Sequence, residues 1–412
     1  MLRSLRQLTR ASTGSTKSIL LREFIQEALY SPVFGYFNRE DVPVGALPEP
    51  LVFSELAGEA EYKRALHASY ENLQESWLTP VEVFQPYYGR ALAKYIQQQA
   101  SSHDSAIHIN ELGGGTGTLA RNMLDYFHEE DRGLYERLTY TSIEISPKLA
   151  ALQRQRVGEQ HAASFRTTTT DACKPEAWGH PSQEPCFILM MEVLDNLPHD
   201  RVGLFGSADE WCQTEVEMSE EGQPVRQYMA PITDRAIGQC MQLPGWQATI
   251  DQQPWMHRIM NPFVRPDSFV YLPTQCRMLL DLICHARPNH HLIIGDFDEL
   301  PDVQIPGKNA PLVASKEGGI TYDHKSVLVR PGSADIFFPT DFPLLAHMHS
   351  HAVHQHLPQS EVRGHHLKAG EFMRQYANSA AAATRNGYNP LLQDYTNFSI
   401  YLGGTVEHPR GD

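Results

Sequence analysis

Apolar positions along the chain first recur at helical spacing and later change period. Leu20, Phe24, Ile25 and Ala28 share one face between Ile19 and about Leu29, which predicts a helix stopped by "SPVFGYF", where Pro32 and Gly35 break it. The loop "REDVPVGALPEPLVF" follows, with three prolines and no period. Residues 54–76 are charged with a helical bias, and "TPVEVFQPYYGRALAKYIQQQ" turns into an amphipathic helix after Pro86. Between 107 and 300 the pattern becomes short apolar runs alternating with helical ones. "AIHINEL", "YTSIEIS", "ASFRTTTTDA", "CFILMMEVL" and "HHLIIGDF" are strand candidates. Helix-length segments separate the first three, which predicts an α/β fold with a doubly wound, mostly parallel sheet. The uninterrupted "FILMM" suggests a central strand covered on both faces. The stretch of roughly 200–290 is too long for one crossover helix, and within it "EWCQTEVEMSEEGQPVRQYM" has the turn and alternation of a hairpin. It reads as an inserted subdomain, expected to cover the ligand crevice. "YTNFSIYLGGT" near the end has the pattern of a sheet-edge strand.

Composition narrows the class. A chain of 412 residues holds one large domain with insertions, or two domains. Its 41% hydrophobic and 20% charged content is that of a globular enzyme. A formal charge of −15 disfavours nucleic acid as a partner and tolerates a cationic one. No apolar run approaches the ~20 residues of a membrane helix, so no membrane insertion is expected. Six cysteines without a CxxC pair suggest neither a disulfide framework nor a zinc ribbon. The first segment carries Arg3, Arg6, Arg10 and Lys17, several Ser and Thr, and no acid before Glu23. That is the composition of a mitochondrial transit peptide, so residues 1–17 are set apart from the fold. Residues 347–366 hold seven histidines. His347, His349 and His351 would share one strand face, but no carboxylate or thiolate pattern accompanies them and a polar loop suits them equally, so no metal is predicted.

Candidate chemistry begins at "ELGGGTGTLARNML". A strand running into a glycine turn that opens a helix presents backbone N–H groups and admits close ligand approach. Leu119, Met123, Tyr126 and Phe127 give that helix its apolar face. A Walker loop needs Lys-Ser/Thr after its last glycine, whereas Thr118-Leu119 follow Gly117. A dinucleotide fingerprint counted from Gly113 meets Thr118 at its third glycine position. What remains is E-x-G-x-G-x-G, formed by Glu111, Gly113, Gly115 and Gly117. The acid would repel a pyrophosphate and suits S-adenosyl-L-methionine, which has an amino group, a sulfonium and no phosphate. Glu144 ends the second strand, where a carboxylate can accept both ribose hydroxyls. Asp171, at the end of the third, is placed to meet the adenine amino group.

Together with "IEISPKLAALQ", "MMEVLDNLPHDR" and "PGSADIFFPTDF", this loop resembles the MidA family of S-adenosylmethionine-dependent methyltransferases, whose mitochondrial members assist assembly of respiratory complex I. "IQEALYSPVFGYF" and "TPVEVFQPYYGRALA" resemble that family's N-terminal motifs. The resemblance runs in patches from about residue 19 to the end. It implies a class I methyltransferase (Rossmann-like) fold, with a helical N-terminal region over 18–100 and a catalytic domain over 101–412 carrying an α+β insertion at about 200–290. It also implies a mitochondrial matrix enzyme that dimethylates arginine symmetrically on a complex I subunit. The alternative is a catalytically silent assembly chaperone that keeps the fold. By motif, Glu111, Gly113, Gly115, Gly117 and Glu144 would take the cofactor, and Glu192, Asp195 and Pro198 fall on the N-E-x-x-D-x-L-P-like signature. Met191 stands where the family has Asn, and "ESWLTPVE" departs from its G-D-F-x-T-x-P-E stretch. At the carboxyl end of the "FILMM" strand, Glu192 is the candidate that orients a guanidinium. Asp195 has a helping or structural role, or caps the following segment.

Overall fold

The computed structural model describes residues 17–39, 44–73, 77–100, 106–205, 210–243, 246, 269–318 and 320–407. Most of the expected transit peptide, residues 1–16, lies outside them. All five strand candidates form: β2 (Ile107–Leu112), β3 (Leu138–Glu144), β4 (Phe165–Thr169), β5 (Cys186–Met191) and β10 (His290–Phe297). With β14 (Ser360–Lys368) and β15 (Phe398–Glu407) they make a seven-stranded sheet in the order β14-β15-β10-β5-β2-β3-β4. The pairs from β10 through β5, β2 and β3 to β4 are parallel, whereas β15 runs antiparallel to both its neighbours. β15 is therefore an inner strand and not the expected edge. The edge is β14, whose mostly exposed charged and histidine side chains suit a strand that must not pair further.

β5 shows why an unbroken apolar run makes a central strand. Phe187, Leu189 and Met191 pack on one face, with Leu92, Ile96, Leu119 and Met123. These last come from helices α4 (Tyr87–Ala100) and α5 (Thr118–Glu130). Cys186, Ile188 and Met190 pack on the other face, with Leu279, Ile283, Leu345 and Met348. Two faces at period two, both dry, read as one continuous hydrophobic string.

The segment after β5 holds the predicted hairpin, β7 (Glu210–Met218) with β8 (Pro224–Pro231). With β6 (Asp200–Phe205) and β9 (Val270–Leu272) it builds a second, antiparallel sheet, joined at its edge by β1 (Lys17–Leu20). A third sheet, β12-β11-β13, comprises Ile320–Asp323, Leu312–Glu317 and Asp335–Phe337. Helix α1 (Leu21–Tyr30) forms as expected. It buries Leu21, Phe24, Ile25, Ala28 and Leu29 against Val216, Tyr271, Val313 and Ile336 of these two sheets, and against Phe338 just beyond them.

The histidine run is neither a strand face nor a loop over its first part. Phe342–His356 is a helix, in which residues two apart point about 200° apart. His349 is buried while His347 and His351 are exposed. The His349 ring lies 2.8 Å from His290 Nε2 and 2.9 Å from the Tyr401 hydroxyl.

Candidate functional site

The parallel strands end together on one side, and the crevice there lies where the order turns at β2 and β5, the position at which open α/β sheets bind ligands. A cleft of about 830 Å³ occupies it. Its floor is the glycine loop. Gly113, Gly115 and Gly117 have φ of 66°, 52° and 86°, a left-handed backbone that a Cβ disfavours. Gly114 is required for another reason: a Cβ there would lie 2.6 Å from Ser142 Oγ and 2.9 Å from a carboxylate oxygen of Glu111.

Glu111 sits beneath this loop, not in the main cleft. It is buried, and the Tyr140 hydroxyl donates to it at 3.0 Å. Burial pushes its carboxyl up to about 8, against the pull of Tyr140 and with a push from Glu144. Glu144 does line the cleft. Its carboxylate accepts from the Ser146 amide at 2.9 Å and from the Gln153 side chain at 3.1 Å, and Gln153 also donates to Gly115 O at 2.9 Å. One buried amide thus ties the end of β3 to the glycine loop. Burial pushes Glu144 up to about 7, those donors offsetting part of it. Asp171 lines the cleft beyond β4 and accepts from the Cys173 amide at 2.9 Å.

Glu192 stands at the end of β5 with φ of 55°, and its amide donates to Gly295 O at 2.8 Å. Its half-buried carboxylate lines the cleft and has no hydrogen-bond partner among the described residues. The chemistry of a buried acid calls for a partner, and the structure directs this one at the ligand space. Burial, with Asp195 adding to it, holds its carboxyl well above the usual carboxylate range. Asp195 does not line the cleft. It is buried with Asp296 and Asp335, and all three carboxyls are raised, first by burial. Asp296 accepts from the Asp195 amide at 3.1 Å, and the Asp195 carbonyl accepts from the Phe338 amide at 2.8 Å. The Asp296 carboxylate and the Asp195 backbone thus fasten the turn that presents Glu192.

Among the described residues the cover over the cleft is N-terminal. Gln26 and Tyr30 of α1, with Phe37 and Val44 after it, close the cleft, whereas of the described residues in 200–290 only Leu279 lines it. The insertion instead holds α1 in place. Sequence reasoning missed this because α1 reads as a plain amphipathic helix, and its polar Gln26 carries no motif. It also missed Glu82, in the short helix α3 (Pro80–Val83). The signal available was an acid between two valines in "PVEVF".

Glu144, Asp171 and Glu192 line the cleft, and no Lys, Arg or His does so among the described residues. Such a lining opposes phosphates and suits a ligand with hydroxyls and positive charge, so the residues present fit S-adenosyl-L-methionine. A family model described as "Putative S-adenosyl-L-methionine-dependent methyltransferase" matches residues 89–359. A Schizosaccharomyces pombe protein, "Protein arginine methyltransferase NDUFAF7 homolog, mitochondrial", is 22% identical over 225 residues, 51% of this chain and 47% of that protein. The match thus spans about half the length of that relative. A Burkholderia thailandensis protein crystallised with S-adenosyl-homocysteine superposes with a TM-score of 0.63 at 17% identity, over 94% of this chain and 88% of that one. A second structure from that organism, of a native superfamily protein, gives 0.59 at 17% identity, over 94% and 87%. At these identities the likeness is one of fold.

Proposed function

Because the chain belongs to the MidA family of S-adenosyl-L-methionine-dependent methyltransferases, we propose that it methylates arginine, symmetrically, on a subunit of respiratory complex I in the mitochondrial matrix. The observation that carries the acceptor is the carboxylate of Glu192 at the cleft, which has no hydrogen-bond partner among the described residues. The name of the fission-yeast relative supports arginine and the mitochondrion, and the basic, acid-poor first segment supports import. The resemblance to mitochondrial MidA members supports the complex I subunit.

In this reading Glu144 accepts the ribose hydroxyls, Asp171 the adenine amino group, and the glycine loop admits the cofactor's close approach. When bound, S-adenosyl-L-methionine supplies an electrophilic methyl group. Glu192 accepts two N–H bonds from the planar guanidinium and so aims its remaining nitrogen. The guanidinium's charge draws the Glu192 carboxyl to its ionised form, which can then accept the proton the alkylated nitrogen sheds. Asp195 and Asp296 act through Glu192 as positioning residues.

The test is transfer of labelled methyl from the cofactor to isolated complex I by the full chain and by Glu192→Gln, followed by analysis for symmetric dimethylarginine. Label in the native chain, reduced on the order of a hundredfold in the variant, is the expected result. No label from either, with cofactor binding intact in both, overturns the enzyme reading in favour of a silent assembly platform.

A further inference from the structure

A second cavity of about 470 Å³ lies against the glycine loop, meeting the main cleft at Val44, Gly113, Gly115 and Glu192. Its glycines and Glu111 belong to the cofactor motif, but that motif gives no role to Glu82, Thr116 or Thr118 on the same wall. Glu82 forms part of its wall and is 2% exposed. One carboxylate oxygen accepts from the Thr116 hydroxyl of the glycine loop. The other, Oε2, has no hydrogen-bond partner among the described residues. Thr116 and Thr118 line the same cavity, beside the first turn of α5, whose opening N–H groups have no intrahelical carbonyl to donate to.

The cavity therefore sets a lone carboxylate oxygen opposite a group of donors. A guanidinium would use only the first. An α-amino acid, with an ammonium and a carboxylate on one carbon, uses both. The groups suited to adenosine, Glu144 and Asp171, line the main cleft and not this cavity, so a ligand held by them extends its other end across Gly113 and Gly115.

We propose that Glu82 is a cofactor-binding residue that accepts hydrogen bonds from the α-ammonium of the amino-acid end of S-adenosyl-L-methionine, with the glycine loop and the start of α5 taking its carboxylate. This rests on the reading that the cleft takes that cofactor. Burial holds the Glu82 carboxyl above its ordinary range, with the Thr116 and Thr118 hydroxyls, the Arg156 charge and the Leu47 backbone offsetting only part of the shift, and an ammonium beside it would draw it further toward its charged form. Glu111, on the same wall, is engaged by Tyr140.

The experiment is calorimetric titration of the full chain with two ligands, S-adenosyl-homocysteine and 5′-methylthioadenosine, which keeps the adenosine and thioether but lacks the amino-acid end. Gln at position 82 keeps an oxygen for Thr116 and loses the charge. Glu82→Gln is expected to weaken S-adenosyl-homocysteine by about ten- to a hundredfold while leaving 5′-methylthioadenosine within about twofold, which also reports an intact cleft. Glu82→Asp, which keeps the charge on a shorter arm, is expected to show a smaller loss, again for S-adenosyl-homocysteine alone, and decides the matter should the first variant fail to fold. Equal weakening of both ligands, or of neither, overturns the assignment and leaves Glu82 a brace for the loop. A native chain that binds neither ligand overturns the cofactor reading itself.

Discussion

At Glu192 conformation and chemistry oppose each other. A non-glycine residue at φ of 55° is strained by about 1–2 kcal/mol, and its half-buried carboxylate has no hydrogen-bond partner among the described residues. Both features disfavour the folded chain, and both make sense only for a group held ready for a ligand. Glu192→Gly is accordingly expected to be more stable than Glu192→Ala by about 1 kcal/mol, measured as urea midpoints, with neither variant supporting methyl transfer. A glycine variant no more stable than the alanine one removes the strain argument. The position of Glu192 could be read from the strand that precedes it. Its lack of a partner could not, because that depends on which side chains other elements bring alongside.

At the scale of elements, the helix that roofs the cleft is held by charge. Arg22 of α1 pairs with Asp200 of β6 at 2.5 Å and with Asp234 at 2.6 Å, and the Asp200 side chain is 1% exposed. Removing one member of such a pair leaves a buried charge, at a cost of about 3–5 kcal/mol. Arg22→Met is therefore expected to lower the urea midpoint and to weaken S-adenosyl-homocysteine binding together, since α1 carries Gln26 and Tyr30. Arg22→Met with Asp200→Asn should recover part of the stability. Loss of stability with native ligand affinity would mean that the roof does not depend on this pair. The helices and the five strands around the cleft were readable because each repeats its apolar period locally. The association of β1 and α1 with strands some 200 residues later was not, since antiparallel partners at such separation leave no periodic trace in either segment.

At the scale of the whole molecule, several acids bury their carboxyls on folding. Burial raises Glu111 to about 8, and Glu144 and Asp335 to about 7, against an unfolded value of roughly 4. Each raised group binds a proton on folding, whereas burial pushes His199, His290 and His291 down to about 4, so that these release one below about pH 6.5; between about pH 6.5 and 8 the acids act alone, and stability must fall as pH rises through that window. The net charge of −15 adds self-repulsion in the same direction. Urea midpoints of the ligand-free chain are expected to decline from about pH 6.5 to pH 8, and Glu111→Gln to flatten that decline. A native chain whose stability rises over that range would mean that these carboxyls are ionised in the fold. The order of elements, the glycine loop and the acids at the strand ends were determined by the sequence alone, because strand, turn and helix signals and the residues just beyond a parallel strand are local facts. Which of those acids face the ligand was decided only by the tertiary structure. It set Glu111 on the wall of the second cavity and not in the main cleft, and Asp195 in a buried acid cluster. It brought Glu82 and α1 to the cleft from outside the sheet, because solvent exclusion and pairing depend on neighbours distant in the chain.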